Sequence, residues 1–414
     1  MQIDIGGVGA DDHDEYTWVA ATAFASPLTE ERAEANRAVV ELDRLLAARH
    51  DGRIVGTAGA YSFDLTLPGG ATVPTAGVSD VTVSATHRRR GILRRLMERQ
   101  LDDVVARGEP LAVLNASESG IYGRFGYGLA SLFQTVEVAT AAAAFRRPVP
   151  EPSRPLRIVP QAEAATWLAP IYEAASHARP GTLSRSDDWW GCVLGPVHTW
   201  KGGGDLYVVV LDPDERPGGL GGGYAIYTLT PRDFPVHGLL SVRELIAVDA
   251  GSEAVLWRFL LDIDLVGEVQ APDSPMDLGL RWWLDDPRQA RVTRVQDYLW
   301  VRLLDVARVL SARAYATDVS VVLDVADDVR PEVAGRYRLV ADGEGATCER
   351  LADDDVTPAD LSLGIEELGA VSLGGTRLRD LEAAGRVVAY SSAALAAADA
   401  AFGWPVAPHC TTRF

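Results

Sequence analysis

An apolar run meets three arginines and a glycine in Val81-Thr82-Val83-Ser84-Ala85-Thr86-His87-Arg88-Arg89-Arg90-Gly91-Ile92-Leu93-Arg94-Arg95. Strand, basic turn, glycine and amphipathic helix in that order make an anion site. The first backbone N–H groups of a helix have no intrahelical partners and point at whatever precedes them. Gly91 leaves that approach open, and the arginines add positive charge within one turn. A solvated basic helix start is the plainer alternative. Further on, Leu114-Asn115-Ala116-Ser117-Glu118-Ser119-Gly120-Ile121-Tyr122-Gly123-Arg124-Phe125-Gly126-Tyr127-Gly128 supplies two phenols. A phenol of ordinary pKa ~10 stays protonated at neutral pH and can donate to a leaving group. Either tyrosine could instead be a core aromatic, and Tyr127 is assigned to packing. Cys192, Cys348 and Cys410 are far apart, with no Cys-x-x-Cys pair and no metal-ligand spacing, so neither a metal site nor a disulfide framework is expected. No Gly-x-Ser-x-Gly elbow suggests a serine hydrolase.

These residues need a scaffold. Leu45–His50 and Arg53–Leu67 are expected as strands around an Asp51-Gly52 turn, followed by a strand ending near Val83. A helix over Gly91–Ala106 has apolar residues at mostly helical spacing, and Pro110–Asn115 is a short buried strand. The segment Arg146-Arg147-Pro148-Val149-Pro150-Glu151-Pro152-Ser153-Arg154-Pro155 holds four prolines in eight residues and suits a linker. Beyond it, strands over Leu206–Leu211 and Gly223–Leu229 flank Pro217-Gly218-Gly219-Leu220-Gly221-Gly222, which resembles a flexible hairpin loop more than a phosphate loop because no helix follows. Leu240–Val248 then Ser252–Leu261 repeats the strand–helix order and suggests an internal duplication. A third segment opens with a helical stripe of Leu303, Leu304, Val306, Ala307 and Leu310. It continues through strands at Val319–Val325 and Gly335–Val340 and helices at Pro358–Glu367, Leu378–Ala384 and Ser391–Ala401. The expected domains are 1–145, 146–301 and 302–414. The chain ends in an apolar tail, Phe402 to Phe414, with a reason to dock rather than fray.

The chain has 414 residues, 39 Lys+Arg and 58 Asp+Glu, a formal net charge of −19. That balance argues against a nucleic-acid-binding surface. It leaves a cationic partner or an acidic surface that aids solubility. A 47% hydrophobic content is ample for packed cores. No apolar stretch approaches ~20 residues and the N-terminus lacks a signal-peptide core, so a cytoplasmic protein without a membrane span is expected.

Arg-x-x-Gly-x-(Gly/Ala), placed after a strand and opening a helix, is the pyrophosphate loop of the GNAT family of acetyl-CoA-dependent N-acetyltransferases. Arg88-Arg89-Arg90-Gly91-Ile92-Leu93 resembles it, Leu93 departing from the usual small residue. Together with the Ser-Glu-Ser-Gly-Ile-Tyr-Gly-Arg-Phe-Gly-Tyr-Gly stretch, the whole chain resembles the Eis-type branch. The resemblance implies an α+β fold: two GNAT-like domains, the second without a CoA site, then a sterol-carrier-protein-like domain. It implies that the backbones of Val81 and Val83 run beside the pantetheine arm. Arg88 and Arg89, with the amides of Arg90, Gly91 and Ile92, would hold the phosphates, and Asn115 and Ser117 would lie near the acetyl end. Tyr122 matches the general acid, and the α-carboxylate of Phe414 matches the general base. Phe24, Ser26, Asn36, Arg37, Ser79, Asp80 and Arg413 would line the acceptor pocket. Ser26 and Arg413 stand where the aminoglycoside-modifying pattern has acids, while Asp80 restores one negative charge. An aminoglycoside or polyamine-like acceptor, a lysine side chain, an arylamine and a small drug amine all stay open. The resemblance also implies a homo-hexamer. The competing reading is a non-catalytic binding protein of the same fold carrying CoA or an apolar ligand.

Overall fold

The computed structural model describes residues 2–26, 29–195, 205–214, 219, 221–232 and 238–414. They form two compact units. One takes the chain up to Ser131, Arg179–Ser184 and Asp297–Phe414; the other takes Leu132–Ala178 and Arg185–Gln296.

The first unit holds two sheets. Its seven-stranded sheet runs Asp4–Gly7, Leu46–His50, Arg53–Thr66, Thr72–Val83, Leu111–Asn115, Leu299–Leu303, Gly128–Leu129. The hairpin turn falls at Asp51-Gly52, both with positive φ. After an antiparallel meander, Thr72–Val83 pairs in parallel with Leu111–Asn115, and the helix Ile92–Ala106 makes the crossover. That helix buries Ile92, Leu96, Met97, Leu101 and Val104 against the sheet, while its arginines face outward. The opposite face is covered by His13–Ala23, whose Tyr16 and Val19 pack with Leu45, Ala47 and Ile54. The five-stranded sheet runs Gly345–Arg350, Gly335–Asp342, Val319–Ala326, Leu361–Gly364, Val387–Ala389. The buried ion pair of Arg302 with Asp327, 2.6 Å, ties it to the first sheet.

The second unit is built on one seven-stranded sheet: Arg291–Asp297, Leu132–Ala139, Val266–Pro275, Gly238–Ala247, Gly223–Thr230, Leu206–Leu211, Arg157–Val159. Gly238–Ala247 and Val266–Pro275 pair in parallel around the helix Ala250–Leu261, the strand–helix–strand order of the first unit. In the glycine run, Pro217, Gly218 and Leu220 lie outside the described residues.

Three expectations change. The proline-rich segment does not separate the sheets: Leu132–Ala139, upstream of it, pairs with Val266–Pro275. Leu303 ends a strand instead of starting a helix. Leu299–Leu303 is buried on both faces between Leu111–Asn115 and Gly128–Leu129, and Asp305 caps the helix only from Val306 onward. A chain segment after residue 296 thus completes a sheet begun by the N-terminus. Residues 361–364 of the expected Pro358–Glu367 helix are a strand paired with Val319–Ala326, the helix running Ile365–Val371.

Candidate active site

The parallel ladder between Thr72–Val83 and Leu111–Asn115 ends at Val78↔Leu114. Where it ends, Thr72–Val83 bulges. Gly59 faces Ser79 and Thr57 faces Thr82, so Asp80 and Val81 together oppose one residue. A bulge bends its strand and re-aims a side chain. Here it splays two neighbouring strands and leaves the backbone of Val81 and Val83 without a strand partner on that side.

The basic turn lies just beyond the split. Arg89 has φ +61° and Gly91 has φ +74°. The first is a strained choice for a residue with a Cβ. A Cβ on Gly91 would meet nothing within 4 Å, so the helix start is open. No side chain caps it and no acid sits in its first turn. Arg88, Arg89 and Arg90 are exposed. Arg94 and Arg95 are not part of the cradle: the first pairs with Glu98 at 2.7 Å, and the second donates to the carbonyl of Ile3 at 3.0 Å. His87, between turn and strand, meets His50 at 3.2 Å across the hairpin end, a contact that ties the turn down.

On the other lip of the split, Asn115 donates to the carbonyl of Tyr298 at 3.2 Å, while its buried Oδ1 has no partner. A buried acceptor without a donor calls for a ligand or water. Tyr122 lies in the cluster that includes Val78, Met97 and Phe125. Burial raises the Tyr122 pKa, opposed by a hydrogen bond with Ser117, so the phenol keeps its proton at neutral pH. Tyr127 packs edge-on against it with centroids 6.2 Å apart. Its own hydroxyl is enclosed without a partner.

The C-terminal tail docks. His409, Cys410 and Thr412 are buried. The amide of His409 donates to Pro180 at 2.8 Å, and Arg179 donates to Ala407 at 2.7 Å. The Tyr298 hydroxyl donates to the carbonyl of Thr412, and Arg413 lies over the Tyr298 ring. The ring of Phe414 ends 5.4 Å from that of Phe63 and against Gly77, where a Cβ would collide with Phe63 at 2.5 Å and crowd Phe414 at 3.2 Å. Gly77 is thus a close approach that only glycine allows.

The acceptor-side residues are brought together only in part. Tyr61 neighbours Phe63 and donates to Asn36 Oδ1 at 3.3 Å, so Asn36, Tyr61, Phe63 and Phe414 form a continuous wall. Ser79 and Gly77 share one face of the bulged strand. Arg37 is exposed and paired with Glu30 and Asp14. Phe24 is 40% exposed at the end of its helix, and Ser26 follows it half-buried. Asp80 is half-buried with φ +51°, and burial pushes its pKa up to about 6. The residues missed from sequence are Tyr16, Tyr61, Phe63 and Tyr298. The Tyr61–Phe63 alternation was the available signal, since period two puts both on one face of a strand.

Among the described residues, no group of three or more His, Cys, Asp or Glu side chains is placed to hold a metal. No helix among them is long and apolar enough to cross a membrane.

Comparison with known proteins bears on this geometry. Residues 4–130 and 181–309 each match a model described as an acetyltransferase (GNAT) domain, and residues 306–411 match a sterol carrier protein domain. An uncharacterized N-acetyltransferase of Streptomyces coelicolor is 41% identical over 389 residues, 92% of each chain. The N-acetyltransferase Eis of Mycobacterium tuberculosis is 35% identical over 418 residues, 97% of each chain. The crystal structure of Eis1 from Mycobacterium abscessus superposes over the whole of both chains with a TM-score of 0.86 at 33% identity. The fold is therefore α+β, with two GNAT domains followed by a sterol-carrier-like domain. The chain belongs to the Eis-type branch of the GNAT N-acetyltransferases.

Proposed function

We propose that the chain transfers an acetyl group from acetyl-CoA to a primary amine by direct attack within a ternary complex. The observation that carries this is the open basic turn beside a split ladder, with the orphaned Asn115 Oδ1 on its far lip. These residues fit the cosubstrate. Arg88 and Arg89, with the amides of Arg90, Gly91 and Ile92, hold its phosphates. The unpartnered backbone of Val81 and Val83 takes its amide-bearing arm, and Asn115 and Ser117 hold the acetyl end. The bound thioester supplies an activated acyl carbon. Tyr122, kept protonated by burial, gives its proton to the departing sulfur. The Phe414 α-carboxylate takes a proton from the nitrogen as the C–N bond forms.

The acceptor pocket is drawn from Phe24, Ser26, Asn36, Arg37, Ser79, Asp80 and Arg413. Its aromatic wall and the Asp80 carboxylate favour a cationic amine, an aminoglycoside or polyamine being one class and a lysine side chain, an arylamine or a small drug amine others. A panel holding an aminoglycoside, spermidine, a lysyl peptide and an arylamine, read by CoA release, identifies the class; release from none overturns the reading in favour of a CoA-binding protein. Y122F is expected to lower kcat by about 10²-fold or more while leaving acetyl-CoA affinity within a few-fold. A chain extended by a few residues after Phe414 should lose a similar factor, and unchanged turnover removes Phe414 from the mechanism. A cytoplasmic homo-hexamer belongs to the same reading, and light scattering tests the assembly.

A further inference from the structure

Asp80 is an expensive residue for the fold to keep. Its φ of +51° lies in the left-handed region, which favours glycine and which Asp and Asn enter at a smaller cost than other side chains. It sits in the bulge, where Thr57 Oγ1 donates at 2.6 Å to its backbone carbonyl. Thr57 therefore anchors the main chain and does nothing for the carboxylate. Among the described residues no hydrogen bond reaches the Asp80 carboxylate and no cation lies within ion-pair distance of it. A half-buried, unpaired carboxylate in a strained backbone contributes nothing to stability, and such residues gather where a ligand supplies the missing partner.

Its surroundings say which ligand. The ladder opens at Val78, two residues before it. Tyr16, on the helix His13–Ala23, has a buried hydroxyl without a partner, set over Gly59, and its acidity is lowered further by the charges of Asp80 and Tyr61. Tyr16 and Tyr61 thus border this side together with the α-carboxylate of Phe414, and burial keeps the Tyr16 phenol protonated. On the same strand, Gly77 carries the ring of Phe414. A cation entering beside the Phe63–Phe414 wall meets the Asp80 carboxylate in addition to the α-carboxylate of Phe414. The species that fits is a protonated amine at the mouth of the split.

We propose that Asp80 is a catalytic residue that accepts the first of the two protons the acceptor nitrogen must lose. The assignment rests on the acetyl-transfer reading above and adds to it. A primary ammonium becomes an N-alkyl amide only by giving up two protons. In the first step one N–H proton passes to the Asp80 carboxylate, leaving a neutral amine and a carboxylic acid. The nitrogen lone pair then forms the C–N bond to the acyl carbon as the C–S bond breaks, its electron pair leaving with sulfur. The second N–H proton passes to the Phe414 carboxylate, and Tyr122 protonates the thiolate. Two carboxylates are required because two protons leave nitrogen while one reaches sulfur; the surplus proton goes to solvent. The raised pKa of Asp80 suits this task, since a carboxylate with a pKa of about 6 accepts a proton more readily than an ordinary one and is still ionised at neutral pH.

The test compares a strongly basic acceptor, benzylamine, with a weakly basic one, aniline, on wild type and D80N. Asparagine tolerates the left-handed backbone, so the substitution keeps shape and removes charge. D80N is expected to lower kcat/KM for benzylamine by about 10²-fold and for aniline by far less, because aniline is already neutral. The limb near pH 6 of the wild-type profile with benzylamine should be absent from D80N. In the ligand-free protein, an infrared band of a protonated carboxyl should titrate near pH 6 in wild type and be absent from D80N. Equal losses on both amines, or none, overturn the assignment while leaving acetyl transfer intact. No CoA release by wild type from any amine overturns the acetyl-transfer reading, and the assignment with it.

Discussion

Two turns of this chain lead from a strand into a helix and end in opposite electrostatic states. In the first unit, Thr72–Val83 reaches Ile92–Ala106 through Arg88-Arg89-Arg90-Gly91, and the helix start is uncapped and free of acids. In the second, Gly238–Ala247 reaches Ala250–Leu261 through Asp249, which accepts from the Ser252 amide at 2.8 Å and meets the Ser252 hydroxyl at 2.9 Å. Asp249 also takes the amide of Gly221, and Glu253 adds a second acid in the first turn. A helix N-terminus favours negative charge wherever it occurs. The second helix carries its own anion, whereas the first leaves the place to a ligand. Fold resemblance between the two domains therefore says nothing about shared activity; the difference is made by a handful of residues at one helix start.

The comparison is broken most directly by giving the first turn what the second has. G91D should weaken acetyl-CoA binding about 100-fold, ~2.7 kcal/mol, by calorimetry. A folded G91D protein with unchanged affinity would mean that the open turn is not the anion site.

A second effect is expected at the split itself. The folded Asp80 carboxyl has a pKa of about 6, above the ~3.9 of an unfolded chain. Between these values the folded state binds more protons, so stability falls as pH rises through the window and then levels off. D80N escapes the penalty. It should be more stable than wild type at pH 8 by roughly 2 kcal/mol and lose that advantage near pH 4, as urea unfolding would show. Equal stabilities at pH 8 would mean that the carboxylate is not held at a cost.

The smallest effect belongs to the second turn. Burial pushes the Asp249 carboxyl up, but hydrogen bonds from Ser252 and Gly221 outweigh it and leave it below the usual carboxylate range. Its stabilising contribution is present above ~pH 4 and is lost as pH falls through the lower folded value. D249A should cost about 1 kcal/mol at neutral pH with acetyl-CoA affinity unaltered. A change in affinity would tie the second domain to cofactor binding and spoil the contrast.

Much of the site was legible in one dimension. The Arg88–Gly91 turn, the helix after it, the Asp51-Gly52 hairpin and the docked tail all follow from short-range pattern. Other features escaped because their causes are distant in the chain. Leu299–Leu303 looks like the approach to a helix until its neighbours on both edges are known. Arg94 and Arg95 look like part of the basic cradle, yet Glu98 and Ile3 hold them elsewhere. The pairing of exposed Arg37 with Glu30 and Asp14 was not legible either.

The sequence by itself determined where an anion could bind, because the direction of helix N–H groups and the charge of neighbouring arginines are local properties. The acids at the start of the second helix, Asp249 and Glu253, are local features of the sequence too. Only the tertiary structure decided that Phe414 meets Phe63 and Gly77 more than 300 residues away in the chain. It also decided that the ladder opens at Val78 and that Asp80 stands there without a partner among the described residues. Those outcomes depend on which surfaces pack against one another, and an unpaired charge is defined by neighbours that no stretch of sequence contains.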